Sequence, residues 1–535
     1  ISSILLFLNA ILDVEQSNFT TIKNVFENYF LFSNLGEINS LLFFLIVIFS
    51  VKFIFISIAN WCEADFISNF HRKISNRIFE NLIFRDYSSI IKDNSSVHIR
   101  NLTSETRQLN IFYDSVIKIF IDLFLIFAIF ILLLFFNFKI TVYSVAFFSI
   151  IALIYFSSVR TFLLKKGFER QILEGKKISN VSETIKSIKT IKILSKEYFF
   201  INDILNINKK IADLSLKVSF LNSFPKNLFE ILLVLSFSLL FYFFILEGYN
   251  TQNILQILSI YFVAYLRIIP SANRILSKLQ LIKFSYASFV KILEEIKKKK
   301  VNYKENNYKI NFKKKLKITL SKFSYRNKNA LLLKNIKIDI NKGQSVGIFG
   351  KSGSGKSTLL NIICGFLDLK QAEILCDGVS IKRNIKSWQS IIGYIPQNIP
   401  ILNNSLKSNL IFGKNDKKIT DDYLLKIIKK ANLKKFYKKR KTCLKEIISQ
   451  DGLNISGGEI QRIGIARALV NNPEIIIMDE STSALDTLTE NSILREIHKL
   501  KKTLIIVSHR LNTFKNCDVI FNLQDDGTLK RLKKN

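Results

Sequence analysis

Long apolar runs crowd the first half of the chain: Leu41–Ala59, Ile119–Phe136, Ile140–Ser157, Leu228–Leu246 and Ile254–Ile269. Each approaches the roughly 20 residues that a helix needs to cross the hydrocarbon of a bilayer. Buried helices of soluble proteins seldom run so far without polar interruption, so these five are expected to be membrane spans. A sixth run, Ile1–Leu12, reads as the tail of a truncated first span, because the sequence starts at Ile1 and not at Met. At 535 residues the chain is also too long for one compact core, so a second large unit is expected.

Loop charge orients the spans. Asp13–Ser40, the tight turn near Asn137–Lys139 and Glu247–Asn253 fall on one side and carry only Lys23 and Lys139 as basic residues. The other side holds Trp61–Lys118 and Ser158–Asn227, with Arg72, Lys73, Arg77, Arg85, Arg100, Arg107, Lys165, Lys166, Lys176 and Lys177 among others. Basic loops stay on the cytoplasmic side, so these two long segments are placed there. In the second of them Ile178, Val181, Ile185, Ile188 and Ile191 recur at spacings of three and four, the pattern of a helix reaching beyond the bilayer.

The formal net charge of +36 raises the question of nucleic acid. No nucleic-acid partner is expected, because the Lys is spread over the whole chain and the aromatics sit in apolar runs. Positive charge facing anionic membrane lipid is the better account. The five cysteines form no close pair and no metal-ligand spacing, which fits reduced thiols.

After the last span, the charged stretch Lys291–Lys315 reads as a boundary, giving a membrane domain over 1–290, a linker over 291–309 and a second domain over 310–535. Beyond it, short β-branched runs alternate with helical patterns, the sign of an α/β domain with a largely parallel sheet. The buried strand Ser345–Phe349 leads into Gly350-Lys351-Ser352-Gly353-Ser354-Gly355-Lys356-Ser357-Thr358 and then a helix, Leu359–Cys364. That is the P-loop spacing: glycines let successive N–H groups point at phosphate oxygens, Lys356 is expected to reach the β- and γ-phosphates and Ser357 to bind Mg²⁺. A second strand, Ile475–Met478, ends in Asp479, placed to hold Mg²⁺, and Glu480, placed to polarise the attacking water as general base.

Between these lies Asn454-Ile455-Ser456-Gly457-Gly458-Glu459, followed by a helix, and this resembles the signature motif of ABC ATPases. The resemblance implies further roles, in the family's order. Tyr325 stands at the position of the aromatic residue that stacks on adenine. Gln397, in Tyr394-Ile395-Pro396-Gln397, resembles the glutamine that touches Mg²⁺ and the attacking water. Ser483-Ala484-Leu485-Asp486 resembles the D-loop, and His509 in Val507-Ser508-His509-Arg510 resembles the switch histidine near the γ-phosphate. With six spans and two long cytoplasmic extensions, the first half is similar to that of ABC exporters. The fold expected is an all-α six-span membrane domain, first span truncated, fused to an α/β P-loop NTPase domain.

The same resemblance implies ATP and Mg²⁺ as ligands, a cytoplasmic-membrane location in a bacterium, and a second copy or a paralogous half as partner. Ser456, Gly457, Gly458 and Glu459 of one chain would close over ATP held by the P-loop of the other. It also implies that a short helix in each extension, around Asp86–Lys92 and Glu197–Asp203, docks on the ATPase domain. Two departures stand out: the signature reads Ile-Ser-Gly-Gly-Glu where the family usually has Leu-Ser-Gly-Gly-Gln, and Ile448–Gly452 matches only loosely the segment that reads the partner's membrane domain. Activity is expected to survive the first, since Ser and both glycines remain.

Charges inside spans are costly and often functional, which singles out Lys52, Asp122 and Arg267. Lys52 and Asp122 are expected to snorkel or to pair with each other or another helix. Arg267, in Tyr265–Arg274, lies in a stretch that resembles the last span of bacterial flippases for lipid-linked oligosaccharides, and Phe19–Phe30 reads as a small outer amphipathic helix like theirs. A cation there would suit a pyrophosphate head group. Export of other lipids, drugs or peptides, and a membrane-anchored ATPase that gates a channel or regulates a partner, stay open at this point. The spans, and the absence of a long coiled-coil insertion, argue against a soluble ABC ATPase, and fusion of the two domains argues against an importer.

Overall fold

The computed structural model describes residues 37–91, 93–246, 251–298, 308–324, 332–367, 369–413, 419–433, 436–437, 443–449, 455–480 and 487–532. It divides into two units: residues up to Arg85 with Ile91–Lys300, and Asp86–Ile90 with Val301–Asn535. The expected run Ile1–Leu12, the Phe19–Phe30 helix, Tyr325 and Asp486 lie outside the described residues.

Among the described residues the first unit has five long helices: α1 (Glu37–Ile83), α2 (Thr106–Phe136), α3 (Phe138–Lys186), α4 (Glu197–Leu246) and α5 (Thr251–Lys297). At 1.5 Å per residue a 50-residue helix such as α4 measures about 75 Å, far more than the hydrocarbon thickness. Among the described residues four helices are long and apolar enough to cross a membrane, lying within Ile46–Ile83, Ser95–Phe136, Phe138–Lys186 and Glu197–Leu239. The fifth run, Ile254–Ile269, starts among side chains outside the description. Large apolar side chains point outward along the spans, Phe135 being 85% exposed, as lipid contact allows and water does not.

Asn137 alone separates α2 from α3, so the expected tight turn is a single extended residue whose side chain caps α3 by accepting from Ile140 N (3.2 Å). Pro225 lies inside α4 and has no N–H to offer the Leu221 carbonyl. Tyr155 of α3 supplies the missing donor, its hydroxyl 2.7 Å from Leu221 O, and Ser277 of α5 donates to Asn222 O at 3.1 Å. The stripe expected over Ile178–Ile191 is helical, but α3 breaks at Ser187; Ile191 is buried whereas Val181, Ile185 and Ile188 are exposed.

Several buried charges in this unit are paired across helices. Glu105 is wholly buried at the end of a π-helical turn, Asn101–Glu105. It accepts from Gln171 Nε2 (3.0 Å), from Ser288 Oγ and from Arg170 Nη2 (3.5 Å). Arg85 donates to Glu295 at 2.7 Å. Asp122 takes its bonds from Arg274 of α5, not from Lys52, which is exposed and stands 5.2 Å from the Phe49 ring. Arg267 is exposed. Arg274 was the residue the spans' charge count missed, because it lies past the last apolar run.

Among the described residues the second unit holds two main sheets and a small antiparallel pairing of Asn404–Ser405 with Ile447–Ile448. In the larger the spatial order is β10 (Leu529–Leu532), β9 (Val519–Leu523), β3 (Ser345–Gly350), β8 (Thr503–Ser508), β7 (Ile475–Asp479) and β6 (Ile392–Ile395). All pairings are parallel except β9 with β10. The parallel reading thus holds here. Sequence did not reveal the other sheet, antiparallel in the order β2 (Leu333–Asn341), β1 (Lys315–Phe323), β4 (Ala372–Cys376) and β5 (Val379–Ser380). Every residue of β7 and β8 is buried, as both faces of a parallel sheet are covered. One core lies between the two sheets around Leu359 and Trp388, and a second lies on the far face around Leu410 and Ile463. The short helix Tyr87–Ile90 also belongs to this unit, with the Tyr87 ring 5.1 Å from that of Phe366; Glu197–Asp203 opens α4 in the first.

Candidate active site

Three neighbouring strands end together. Parallel register sets Ser508 beside Phe349 and Val507 beside Asp479, so the chain leaves β3, β8 and β7 on one edge of the sheet. The carboxyl edge of such a sheet is where ligands bind in α/β folds.

From β3 the P-loop turns through Gly353 (φ +85°) and Gly355 (φ +100°) into α6 (Lys356–Ile363). Both angles are left-handed, where a side chain would be strained. At Gly350 a Cβ would come within 2.8 Å of Leu523 O and of Ser354 Oγ, so only glycine fits. Lys356 is 5% exposed; its Nζ donates back to Gly350 O (2.9 Å) and Lys351 O (2.8 Å) and stands 3.5 Å from Glu480 Oε1. Ser352 is exposed on the rim and Thr358 is buried in α6.

Ser357 Oγ donates to Asp479 Oδ1 at 3.3 Å, and Tyr394 from β6 donates to Asp479 Oδ2 at 3.3 Å. Burial raises the Asp479 carboxyl above the usual carboxylate range, the charge of Glu480 adds to the rise, and Tyr394, Ser357 and Lys356 oppose it. Tyr394 was missed in the sequence, although it lies three residues before Gln397 and its hydroxyl orients the acid.

Glu480 follows β7 in the left-handed region (φ +47°), held by its N–H on Val507 O at 3.0 Å. For a residue with a Cβ that conformation costs about 1–2 kcal/mol, and such strain collects at functional sites. It aims the carboxylate at three groups from separate loops. Gln397 Nε2 donates to Oε2 at 3.1 Å, Lys356 Nζ is 3.5 Å from Oε1 and His509 Nδ1 is 4.0 Å from Oε1.

Ser456 caps α7 (Gly457–Val470) in a reciprocal arrangement. Its Oγ accepts from Glu459 N (3.3 Å), and the Glu459 carboxylate accepts from Ser456 N (2.8 Å). The Ser456 hydroxyl keeps its own proton to donate. Gly457 and Gly458 form the first turn, whose N–H groups have no helical acceptors.

The residues present suit a nucleotide with Mg²⁺. Ser354 Oγ is buried in the loop with no hydrogen-bond partner among the described residues, an orphan that a phosphate oxygen would satisfy. Ser357 Oγ and Asp479 Oδ1 are the hard oxygen donors that Mg²⁺ takes.

Comparison with known proteins agrees. The family model described as the ABC transporter transmembrane region matches residues 1–268, half of the chain, and that described as ABC transporter matches residues 333–483. The chain belongs to the ABC transporter family. Its ABC membrane domain is helical and is fused to an ABC ATPase domain built on sheets. Among relatives, the ATP-dependent lipid A-core flippase of Pasteurella multocida (strain Pm70) is 37% identical over 205 residues, 38% of this chain and 35% of that protein. The mitochondrial iron-sulfur clusters transporter ATM1 of Saccharomyces cerevisiae is 39% identical over 204 residues, 37% of this chain and 29% of that one. This ABC chain therefore spans about a third of the length of the curated relatives it matches. A structure of a bacterial Atm1-family ABC exporter with ATP bound shares the fold, with a TM-score of 0.79 over 99% of this chain and 94% of that one at 19% identity.

Proposed function

We infer that this chain is one half of a dimeric ABC exporter that hydrolyses ATP to move or flip a substrate across the cytoplasmic membrane of a bacterium. The single observation that carries the reading is the convergence on Glu480 of Lys356, Gln397 and His509, from three separate loops, beside the Ser357–Asp479 pair.

In this reading Glu480 is the general base, His509 and Gln397 orient the attacking water and the γ-phosphate, and Lys356 with the P-loop N–H groups cradles the phosphates. Ser357, Asp479 and Gln397 would hold Mg²⁺, which would supply neutralisation of phosphate charge. Tyr325 takes the adenine, and Asp486 belongs to the loop that faces the second subunit. Ser456, Gly457, Gly458 and Glu459 form an anion site that one chain leaves unfilled, so a second copy, or a paralogous half, completes it. Six spans fit the membrane domain, with 291–309 as the join.

The cargo proposed is a lipid with an anionic head group, a lipid-linked oligosaccharide among them. Arg267 is exposed on α5, and the names of flippases among the relatives support the class. The experiment is ATPase turnover of the chain in lipid nanodiscs against lipid-linked oligosaccharides, phospholipids, apolar drugs and peptides. Glu480→Gln should lower turnover by about 100-fold or more while ATP still binds. Stimulation by the anionic lipids alone would support the cargo; stimulation only by drugs or peptides would overturn it, and full activity of Glu480→Gln would overturn the site.

A further inference from the structure

Glu490 is a buried carboxylate that none of the roles above uses. It lies in the first turn of α8 (Thr487–Lys499) and is 5% exposed. Its Oε1 accepts from the Thr513 hydroxyl at 3.0 Å, and its Oε2 is 3.9 Å from Arg510 Nη1. Thr513 Oγ1 in turn lies 3.3 Å from Ser508 Oγ, which accepts from Arg510 N at 3.0 Å. His509 therefore sits between two residues, Ser508 and Arg510, that are tied, the first through Thr513, to one carboxylate 18 and 20 positions away in sequence.

The arrangement explains how an exposed imidazole is kept near its partner. His509 itself is half exposed, and only its 4.0 Å approach to Glu480 marks its place. The buried groups beneath it restrict the turn: Ser508 and Thr513 are both buried, as is Glu490. In low dielectric a charged acceptor strengthens a hydroxyl bond, so this chain of bonds is stiffer than a surface turn. It also joins the turn to a helix that starts just beyond Asp486.

We propose that Glu490 is a positioning residue for hydrolysis, holding the Ser508–Thr513 turn so that His509 faces Glu480. It rests on the reading above in which Glu480 and His509 serve ATP hydrolysis. Glu490 touches neither nucleotide nor water; it acts through His509.

The test uses the full chain in nanodiscs, with Glu490→Ala, Glu490→Gln, His509→Ala and the double variant Glu490→Ala/His509→Ala. Misplacing a catalytic group by about 1 Å can lower rates by about 100-fold, so Glu490→Ala should lose between about tenfold and about 100-fold in kcat. KM for ATP should stay within about threefold, because ground-state binding is not altered. Glu490→Gln keeps an acceptor for Thr513 and should recover most of the rate. The double variant should be no slower than His509→Ala alone, since the two act as a unit. Losses that multiply in the double variant, or a fall in ATP binding that tracks the loss of kcat, would reduce Glu490 to a scaffold residue and overturn the proposal. Wild-type turnover in Glu490→Ala would do the same. Glu480→Gln separates the two readings: if it is inactive while Glu490→Ala is not, only the positioning role fails, and if it is fully active, the site reading itself falls.

Discussion

Charges that are out of water serve different ends in the two units. In the second, Asp479 and Glu480 stand at the end of β7 and Lys356 at the start of α6, and they are only partly matched: Asp479 has two hydroxyl donors, and the nearby Ser354 hydroxyl has no hydrogen-bond partner among the described residues. In the first, Glu105, Arg170, Gln171 and Ser288 close on one another between helices, as do Arg85 and Glu295. One set is unsaturated in charge: among the described residues Asp479 meets hydroxyl donors and no ion-pair partner, which leaves room for a charged ligand. The other is saturated in charge, Glu105 and Glu295 each meeting an Arg, although Arg85 Nε and Nη1 and Arg170 Nε have no hydrogen-bond partner among the described residues. The difference teaches that burial of charge does not by itself mark a site; a buried carboxylate without an opposite charge does.

Breaking the saturated set should have the largest effect on stability. Arg170→Met removes a cation that contacts Glu105, Glu174 and Ser288, leaving Glu105 buried with reduced compensation. Loss of one partner of a buried pair costs about 3–5 kcal/mol. Thermal unfolding of the detergent-purified chain should fall accordingly, while replacing both members, Glu105→Leu with Arg170→Met, should restore much of the loss. A single variant as stable as the wild type would show that the first unit's charges are not saturated by each other.

At the unsaturated set the sign should reverse. The folded-state carboxyl of Asp479 is raised above its unfolded value, mainly by burial, so its ionised form opposes folding. A group raised in this way contributes stability at low pH that is lost as pH rises through its folded-state value. Asp479→Asn removes the charge, so without nucleotide it should unfold at a higher temperature than the wild type at neutral pH. That gap should narrow on acidification, and Mg²⁺-dependent hydrolysis should vanish. A lower unfolding temperature would mean that Asp479 is as well compensated as Glu105, and the contrast would collapse.

What the sequence made legible follows the same division. Lys356, Asp479, Gln397 and His509 could be found because each lies at a fixed offset from a strand end, and parallel pairing of β3, β8 and β7 then brings those ends together. The five long helices were legible from apolar length alone. Pairs such as Asp122–Arg274, 152 positions apart, leave no local trace. Arg274 lies past the end of its apolar run, so a search for charges inside spans passed over it. The antiparallel sheet of β1, β2, β4 and β5 was hidden for a related reason. Its strands carry buried and exposed residues in alternation over short stretches rich in Lys, as in the buried–exposed repeat of Ile336–Asn341, too short to stand out from a loop. Tyr394 and Glu490 carry no motif of their own; only the distances to Asp479 and Thr513 reveal them.

The smallest effect is expected at a position that belongs to both kinds of set. Glu459 saturates its own helix start, accepting from Ser456 N at 2.8 Å, yet it lies in the anion site proposed for a second chain's nucleotide. Glu459→Gln keeps an oxygen for that N–H and loses the carboxylate beside the positive end of α7, worth about 0.3–1 kcal/mol. Unfolding should therefore shift down slightly. The removed charge also repels phosphate, so KM for ATP should fall, by no more than about threefold at this half-buried and partly screened position. If turnover or ATP affinity instead rises more than tenfold with no change in unfolding, Glu459 acts chiefly on the nucleotide, and the cap is incidental to it.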